Sequence, residues 1–413
     1  MVSSLIMKLW PALALLIACS FCAAADWPQF LGPNRNGVSP ETNLSLAWPK
    51  DGPKTLWKTK VGAGWSGPVV SSNRVVLFHR REDNEVVEVF NATNGARLWR
   101  QDYASGYRDD FGFDEGPRAT PAVDGDRIIT FGANGILNCW DFSSGSSRWR
   151  VDTRQQFKSE KPYFGIACSP LVEGNAVILN IGGSDGAGIV AFDKATGKVL
   201  WKAGNDEASH SSPVAANIQG RRCVFVLARK GLVALEPTGK LLWEFPWKPR
   251  IEASVSAATP LVMGDQIFIS ASYGAGAALL RFNASKPEVL WSGDDILSNH
   301  YATSVHHNGF LYGFDGRQEQ RCNLRCVELK TGKVRWSQDR FGGGTLMVAG
   351  DKLLVLTESG ELVVAPAAPE KFSPLARAQI IGSEVRSHPA LANGFFYARD
   401  KSSLVCVDLR GAK

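Results

Sequence analysis

The stretch Ala191-Phe192-Asp193-Lys194-Ala195-Thr196-Gly197-Lys198-Val199-Leu200-Trp201 decides the fold, because its ending recurs along the chain. In most copies a turn containing glycine leads through a short run into a tryptophan. The endings are Asn94–Trp99, Ser144–Trp149, Thr196–Trp201, Thr238–Trp243, Lys286–Trp291 and Thr331–Trp336, with Trp57 after a shorter version. Successive tryptophans stand 42 to 52 residues apart. A repeat of about this length indicates a propeller or a solenoid.

The interior of one repeat shows which of the two it is. Residues 169–172, 176–179, 188–192 and 199–201 form four short apolar runs, separated by Glu-Gly-Asn, glycine-rich and Thr-Gly turns. Short runs rich in β-branched residues between such turns are typical of strands. Four strands make one propeller blade. Since no repeat carries a helical stripe, a helical solenoid is excluded.

The number of blades follows from the tryptophans. The seven tryptophans bound six intervals, and a seventh blade without its tryptophan fits the runs at 350–356 and 361–364. An eighth blade begins at Arg386 and stops after three strands near Asp408. The strand that it lacks is the unpaired one around Trp57. The sequence thus predicts an all-β protein, an eight-bladed β-propeller of four-stranded antiparallel blades, whose ring is closed by the N-terminal strand so that no edge stays open.

Composition narrows the function classes. The 413 residues are 44% apolar and 21% charged, with a net charge of +6. These values are ordinary for a globular protein and exclude a disordered chain or a coiled coil. Because no run of Lys and Arg exceeds two residues, nothing indicates a nucleic-acid partner.

The first 25 residues predict export. One charge, Lys8, precedes an apolar run, and Ala23-Ala24-Ala25 offers a signal-peptide cleavage site. A second interpretation stays open, because Leu16-Ile17-Ala18-Cys19 resembles a lipobox that would make Cys19 a lipidated N-terminus. The apolar run is too short for a permanent membrane span. Either interpretation predicts a periplasmic or extracellular protein, attached to a membrane only through such an N-terminal lipid anchor.

These residues resemble the PQQ-like (quinoprotein-type) eight-bladed β-propellers. That family's blade ending, Ala-x-Asp-x-x-Thr-Gly-Lys-x-x-Trp, matches residues 191–201 at every position. Residues 26–39 resemble the leader of exported bacterial members, so the predicted organisation is a leader at 26–52 and a propeller at 53–413. The resemblance implies two functions. The favoured one is an exported binding or scaffold protein, and the alternative is a PQQ- and calcium-dependent dehydrogenase of alcohols or sugars. The adjacent cysteine pair that many of those dehydrogenases carry is absent from the sequence.

Six cysteines follow residue 25. Cys139, Cys326 and Cys406 occupy the repeat position that holds Ala191 and Ala234 in other blades, which predicts buried thiols in separate blades. Only Cys322 and Cys326 are close in sequence, and export would permit a disulfide between them. Free thiols and a single bridge both remain open.

The first strands of the blades predict a ligand site at the mouth of the central channel. Aligned on their proline or its equivalent, they carry large aromatic or basic residues three positions before it in five of the eight blades. These funnel candidates are Trp65, Arg118, His210, Tyr301 and Arg386. Small residues follow them, as the close approach of eight strands requires. We expect Trp65 to lie between the two arginines, a geometry suited to a planar anion or an acidic peptide. The alternative is that both arginines only neutralise Asp114, Glu115 or Glu384.

The long connection from Tyr103 to Arg118 and one inter-strand turn supply acidic residues. Asp114, Glu115 and Asp315 are the weak catalytic candidates, because the PQQ site implied by the resemblance needs a carboxylate base and calcium ligands. Arg118 and Arg386 would face the carboxylates of the quinone. No spacing places these acidic groups around one ion, so the metal ligands remain unknown.

Overall fold

The computed structural model describes residues 26–161 and 164–411. The predicted targeting segment, including Cys19, lies outside the described residues. Two strands precede the first complete blade, β1 (Val38–Ser39) and β2 (Thr55–Lys60). Two short helical turns interrupt the loops that follow, α1 (Thr153–Phe157) after blade 2 and a 3₁₀ helix (Gln318–Gln320) within blade 6. Within the described part of the chain, no helix is long and apolar enough to cross a bilayer.

The first four blades are four-stranded antiparallel sheets with neighbouring strands in chain order. Their strands are β3 (Val69–Ser71), β4 (Arg74–Arg81), β5 (Asn84–Asn91) and β6 (Arg97–Ala104) in blade 1; β7 (Ala122–Asp124), β8 (Arg127–Phe131), β9 (Ile136–Asp141) and β10 (Ser147–Asp152) in blade 2; β11 (Leu171–Glu173), β12 (Ala176–Asn180), β13 (Ile189–Asp193) and β14 (Val199–Ala203) in blade 3; β15 (Val214–Ile218), β16 (Arg221–Leu227), β17 (Gly231–Leu235) and β18 (Leu241–Pro246) in blade 4.

The remaining blades repeat this order until the last, which has only three strands of its own. They are β19 (Leu261–Met263), β20 (Gln266–Ala271), β21 (Gly276–Arg281) and β22 (Glu288–Gly293) in blade 5; β23 (Val305–His307), β24 (Phe310–Asp315), β25 (Asn323–Glu328) and β26 (Val334–Gln338) in blade 6; β27 (Gly344–Ala349), β28 (Lys352–Thr357), β29 (Glu361–Pro366) and β30 (Ala376–Gln379) in blade 7; β31 (Ala390–Ala392), β32 (Phe395–Arg399) and β33 (Ser403–Asp408) in blade 8.

The N-terminal strand closes the ring, as predicted. β2 pairs antiparallel with β33, in a register from Thr55↔Val407 to Lys60↔Ser403. First strands of neighbouring blades contact one another, as β3 does with β7 and with β31. The first strands therefore surround the central axis and the fourth strands form the outer rim.

The repeated tryptophans join neighbouring blades. Six of them donate the indole N–H to a carbonyl of the next blade. The pairs are Trp57 with Ala92, Trp99 with Phe142, Trp149 with Lys194, Trp201 with Pro237, Trp291 with Leu329 and Trp336 with Ala368, at 2.7 to 3.2 Å. The exception is Trp243, whose Nε1 has no partner. The blade that follows it lacks the Thr-Gly turn and has Lys286-Pro287 there instead.

The glycine of that turn is required at five blade junctions. A Cβ on Gly95, Gly145, Gly197, Gly239 or Gly332 would come within 2.5 to 2.9 Å of the indole from the preceding blade. Each also has a φ between +70° and +87°, where glycine is favoured. Close approach and backbone conformation together explain why this turn recurs.

In five blades the residue paired with the tryptophan is small, whereas Trp99 pairs with Val89 and Trp291 with Leu279. Trp149, Trp336 and Trp57 pair with Cys139, Cys326 and Cys406, while Trp201 and Trp243 pair with Ala191 and Ala234. This confirms the predicted repeat position of these cysteines. Cys322 forms no bridge to Cys326, and all six cysteines of the described residues are free and buried.

Residues 26–39 of the leader cross the inner ring. Trp27 exchanges two backbone hydrogen bonds with Val70 of blade 1, and Pro28 accepts one from Val123 of blade 2. Arg35 donates to the carbonyls of Ser169 and Pro170 at blade 3. β1 then pairs in parallel with β27 of blade 7. The leader thus reaches from blades 1 to 3 across to blade 7 and forms a plug at one end of the channel.

Candidate functional site

The five funnel candidates lie around one cavity at the mouth of the channel. The cavity has a volume of about 340 Å³, and Trp65, Arg118, His210, Tyr301 and Arg386 all line it. Long connections add Phe111, Phe113 and Phe164 to the wall, and Phe30 of the leader plug lines it as well. A cavity of this size is in the range of small-molecule sites. Its wall is built from first strands, loops and leader together.

A belt of hydroxyl groups supports the inner ring. At the position before the proline or its equivalent, the backbone N–H of each of blades 1 to 5 donates to the side-chain hydroxyl of the next blade. The links are Gly67 to Thr120, Thr120 to Ser169, Ser169 to Ser212, Ser212 to Thr259 and Thr259 to Thr303, at 2.9 to 3.3 Å. The close approach of eight strands explains the small size of these residues. Their hydroxyl groups also hold neighbouring blades together.

Blade 8 departs from this belt, because His388 stands where blades 2 to 7 have a hydroxyl and blade 1 has Gly67. An added Cβ on Gly67 would lie 2.4 Å from the His388 carbonyl oxygen, so glycine at that junction lets the two strands meet. The imidazole lines the cavity and packs edge-on against Phe30 at 5.1 Å. The departure from the repeat thus places a titratable ring in the wall.

Trp65 lies between guanidinium groups from the two neighbouring blades. The Cζ atom of Arg118, from blade 2, is 4.7 Å from the indole centroid, and that of Arg386, from blade 8, is 4.8 Å away. Contacts of this kind are stabilising when partly desolvated. The indole also keeps two like charges apart, which agrees with the arrangement expected from blade order.

Both arginines are paired with carboxylates. Arg118 Nη2 lies 2.7 Å from Asp109 Oδ2, and both side chains are almost fully buried. Arg386 Nε lies 2.8 Å from Glu358 Oε1, which also accepts a hydrogen bond from Tyr301 at 3.1 Å. The third guanidinium in the wall, Arg317, lies 3.6 Å from Glu319. Neutralisation therefore occurs, but through carboxylates other than the expected Asp114, Glu115 and Glu384.

Three histidines in the wall are uncharged at neutral pH. Burial lowers the pKa of His210 to about 3 and that of His388 to about 4. Burial also lowers the pKa of His300, whose Nε2 accepts a hydrogen bond from Tyr273 at 2.7 Å. His210 Nε2 donates to the Gly165 carbonyl at 2.9 Å. Two of the three rings are therefore fixed by partners within the protein.

Some buried polar atoms in the wall have no partner. Trp65 Nε1, Arg118 Nε and His388 Nε2 form no hydrogen bond, and the His388 residue is only 7% exposed. A buried donor without a partner costs about 1–3 kcal/mol. Each of these atoms has almost no accessible surface.

The outer part of the cavity is apolar. Phe111, Phe113 and Phe164 form an aromatic cluster with ring centroids 4.8 to 6.3 Å apart. Phe111 and Phe113 are 47% and 46% exposed. Exposed aromatic groups at a concave site are typical of ligand contacts.

The three acidic candidates lie outside the cavity wall. Asp114 accepts hydrogen bonds from the backbone of Gly64 and Gly116 at 3.2 and 2.7 Å. Glu115 lies 3.4 to 3.5 Å from Arg80 and Arg108. Asp315 pairs with Arg325 at 2.9 Å, in blade 6. Each carboxylate is engaged locally, and the structure does not bring the three together.

PQQ and calcium do not fit the residues present. Residues 26–161 and 164–411 contain no group of three or more His, Cys, Asp or Glu side chains able to hold a metal ion. The guanidiniums expected to face the carboxylates of the quinone already carry carboxylate partners.

Several wall residues were not found by sequence reasoning. Phe30 and Phe164 lie in the leader and in a long loop, where no repeat position marks them. Tyr273 lies in the turn between β20 and β21, and His300 directly precedes Tyr301 of the aligned column. His388 did carry a signal, because it replaces a hydroxyl in an otherwise small column.

Comparison with known proteins agrees with the repeat. The family model described as outer membrane protein assembly factor BamB matches residues 82–338. No curated protein sequence matches the chain. BamB from Moraxella catarrhalis is structurally similar, with a TM-score of 0.64 and 16% identity over 87% of this chain and 99% of that chain.

Two further solved structures share the fold. Quinohemoprotein alcohol dehydrogenase from Comamonas testosteroni has a TM-score of 0.67 and 15% identity over 94% of this chain and 81% of that chain. The computationally designed Ika8 protein has a TM-score of 0.59 and 15% identity, over 86% of this chain and 100% of that chain. At such identities the likeness concerns the fold alone, whereas the family model spans more than half of the chain. The chain belongs to the family described as outer membrane protein assembly factor BamB, within the PQQ-like eight-bladed β-propellers.

Proposed function

We propose that this protein is an exported binding or scaffold protein whose ligand site is the funnel. The observation that carries the proposal is the cavity itself, of about 340 Å³, in which the five funnel residues lie beside the exposed Phe111 and Phe113. Exposed aromatic groups at a concave site are typical of ligand contacts. The leader plug closes one end of the channel, so a ligand enters from the other.

The family description supports the binding and scaffold part of the proposal, because it names an assembly factor rather than an enzyme. The pattern of residues 1–25 supports export. The mass of the mature N-terminus, measured on protein recovered from a Gram-negative host, tests this part. A chain beginning at Asp26 indicates a cleaved signal peptide, and a chain beginning at a lipidated Cys19 indicates a lipoprotein. An uncleaved cytoplasmic chain would contradict export.

Equilibrium dialysis tests the binding part. The purified protein is dialysed against a defined mixture of neutral, anionic and cationic metabolites, and bound compounds are identified by mass spectrometry. We expect at least one compound to be enriched by the wild type and lost from Trp65→Phe and His388→Phe.

Trp247→Phe is the matched control. Trp247 lies on an outer groove of blade 4 and also has a buried indole N–H without a partner. This variant should keep the enriched compound. If no enriched compound depends on the funnel residues, the site is not a ligand site.

PQQ with calcium enters the same experiment as a separate arm. We expect no calcium-dependent change in PQQ absorbance and no dye-linked oxidation of alcohols or sugars. Tight PQQ binding with such activity would replace the proposal by the dehydrogenase alternative.

A further inference from the structure

We propose that the outer groove of blade 4 docks an extended acidic segment of a protein partner. This surface is separate from the funnel, because the described residues that line the groove include none that line the funnel cavity. Either surface can therefore function without the other. Four features carry the inference: the charge of blade 4, the unpaired cations of the groove, its aromatic wall and the open strand beside it.

Blade 4 carries almost all of the surplus charge of the protein. Of the 46 basic and 40 acidic residues of the chain, seven and two lie within residues 214–250, which form blade 4 and the start of the connection after it. This segment therefore has a net charge of +5, and the remainder of the chain has +1. A concentration of one sign attracts a partner of the opposite sign. A second copy of this chain would meet blade 4 with the same charge, so the partner is a different, acidic protein.

Three of these cations lie in one groove. The groove has a volume of about 1020 Å³, and the exposed Lys230, Lys248 and Arg250 line it. Within residues 26–161 and 164–411, none of these three side chains forms an ion pair or a hydrogen bond. Arg118 and Arg386 of the funnel differ, because each already has its own carboxylate. An anionic partner can therefore pair with the groove cations without displacing an existing contact.

Two carboxylates also line the groove, and they have different surroundings. Asp206 accepts backbone hydrogen bonds from Glu207 at 2.8 Å and from Lys230 at 2.6 Å, so its charge is engaged locally. Glu244 is exposed on β18 and pairs with no cation of the described chain. An acidic partner would be repelled by Glu244, and removing this charge should strengthen the binding.

An aromatic pair forms the apolar part of the groove. The rings of Phe245 and Trp247 are stacked, with centroids 6.2 Å apart and an interplanar angle of 21°. Leu241 lines the same groove and is 50% exposed. Successive side chains of an extended peptide point to opposite sides. A segment in which acidic and apolar residues alternate can therefore contact both the cations and the rings.

The strand beside the groove is open to a further strand. Within the described chain, β18 is the last strand of its sheet and pairs only with β17. Its outer edge thus presents backbone groups to a partner, and strand addition is a common way of binding an extended peptide. The fourth strands of other blades are edges too, and the cations and the groove distinguish β18 from them. A lipid surface has no backbone groups to pair with this edge, so a peptide fits better than a membrane.

The test uses a fluorescent peptide of about ten residues, in which glutamate alternates with valine, long enough to pass along β18. Its binding to the purified protein is followed by fluorescence anisotropy at low and high NaCl. We expect binding that weakens with salt. Lys230→Glu combined with Lys248→Glu should weaken it by at least about tenfold. Glu244→Gln should strengthen it by about twofold.

A second pair of exposed lysines provides the matched control. Lys330 and Lys333 lie in the last turn of blade 6, and their combined substitution by glutamate changes the net charge by the same amount as the groove variant. This control should bind the peptide as the wild type does. Because Glu244→Gln changes one exposed side chain, it tests the groove even if the double groove variant is unstable.

The outcomes distinguish the classes of partner. If the acidic peptide does not bind, if a peptide with lysine in place of glutamate binds equally well, or if the groove variant and the control bind alike, the proposal is overturned. If vesicles of phosphatidylglycerol bind through the groove lysines while the peptide does not, the surface contacts a membrane and the peptide proposal is wrong. Trp65→Phe and His388→Phe should leave peptide binding unchanged, so failure at the groove and failure at the funnel are read separately.

Discussion

Trp201 at the outer rim and Trp65 at the channel mouth show two uses of one residue type. Trp201 lies on the Gly239 turn of the next blade and donates its indole N–H to the Pro237 carbonyl at 2.9 Å. Trp65 lies between Arg118 and Arg386, and its N–H has no partner. The rim repeats one satisfied contact at six of its seven tryptophans, while the mouth differs from blade to blade. Repetition therefore builds the fold, and departures from it build the candidate site.

The largest effect should come from opening the ring. Deleting residues 26–60 removes the leader plug and β2, which leaves β33 with an unpaired edge. We expect a loss of several kcal/mol in unfolding free energy and a tendency to aggregate. Thermal unfolding followed by circular dichroism measures this. A truncated chain that melts at the wild-type temperature would contradict the closed ring.

One added carbon atom should disrupt the contact between Trp201 and the turn at Gly239. In Gly239→Ala the added Cβ would lie 2.5 Å from the Trp201 ring, at a φ of +87°. We expect a loss of about 2–4 kcal/mol from strain and overpacking combined. Gly220→Ala is the control, because Gly220 has a φ of +75° with nothing within 4 Å, and should lose about 1 kcal/mol. Equal losses in urea denaturation would show that the indole contact contributes nothing.

We expect the free energy of unfolding to depend on pH because of His388 at the channel mouth. His388 has a pKa of about 4 in the folded protein, against about 6.5 when unfolded. As the pH falls below 6.5, the unfolded chain binds a proton that the folded chain does not, so the free energy of unfolding decreases. Between pH 7 and pH 5 this single group accounts for about 2 kcal/mol.

His388→Phe removes this contribution. Urea denaturation at pH 7 and pH 5 should show a smaller loss in the variant than in the wild type, with the remaining loss arising partly from His210. A variant that loses as much stability as the wild type over this range would indicate that His388 titrates normally.

We expect the smallest effect from substituting the cysteines that pair with the rim tryptophans. Cys139→Ala and Cys406→Ala introduce the residue that blades 3 and 4 use, so each should cost about 1–2 kcal/mol or less. Burial raises the pKa of both thiols to about 12. A thiol reagent at pH 8 should therefore react only after unfolding. Rapid labelling of the native protein would place these cysteines at the surface.

The rim was predictable because one contact recurs. The Thr-Gly turn and the tryptophan stand at fixed distances in the sequence. The strand pair that joins Trp201 to Ala191 could therefore be expected at the equivalent positions of blade 2, where Trp149 pairs with Cys139. The positions of Trp65, Arg118 and Arg386 followed from aligning the first strands on their proline. Both inferences use the repeat itself.

The partners at the mouth could not be predicted in this way. Asp109 reaches Arg118 because the connection from Tyr103 to Arg118 folds back over its own end, and nothing periodic sets that path. Glu358 reaches Arg386 from a turn of the preceding blade. The leader was recognised as a separate segment, but its course across the ring depends on single contacts such as those of Trp27 and Arg35. Neutralisation of the funnel arginines was therefore one of the sequence alternatives, but its carboxylates, Asp109 and Glu358, follow only from the structure.

The most direct test compares the unfolding free energies of Trp201→Phe and Trp65→Phe in urea. Trp201→Phe removes a hydrogen bond to the next blade and part of a packed ring, so it should lose about 1–3 kcal/mol. Trp65→Phe removes an N–H that has no partner and keeps an aromatic ring between the guanidiniums, so it should stay within about 0.5 kcal/mol of the wild type. Equal losses in the two variants would contradict the distinction between a rim that builds the fold and a mouth that is kept for binding.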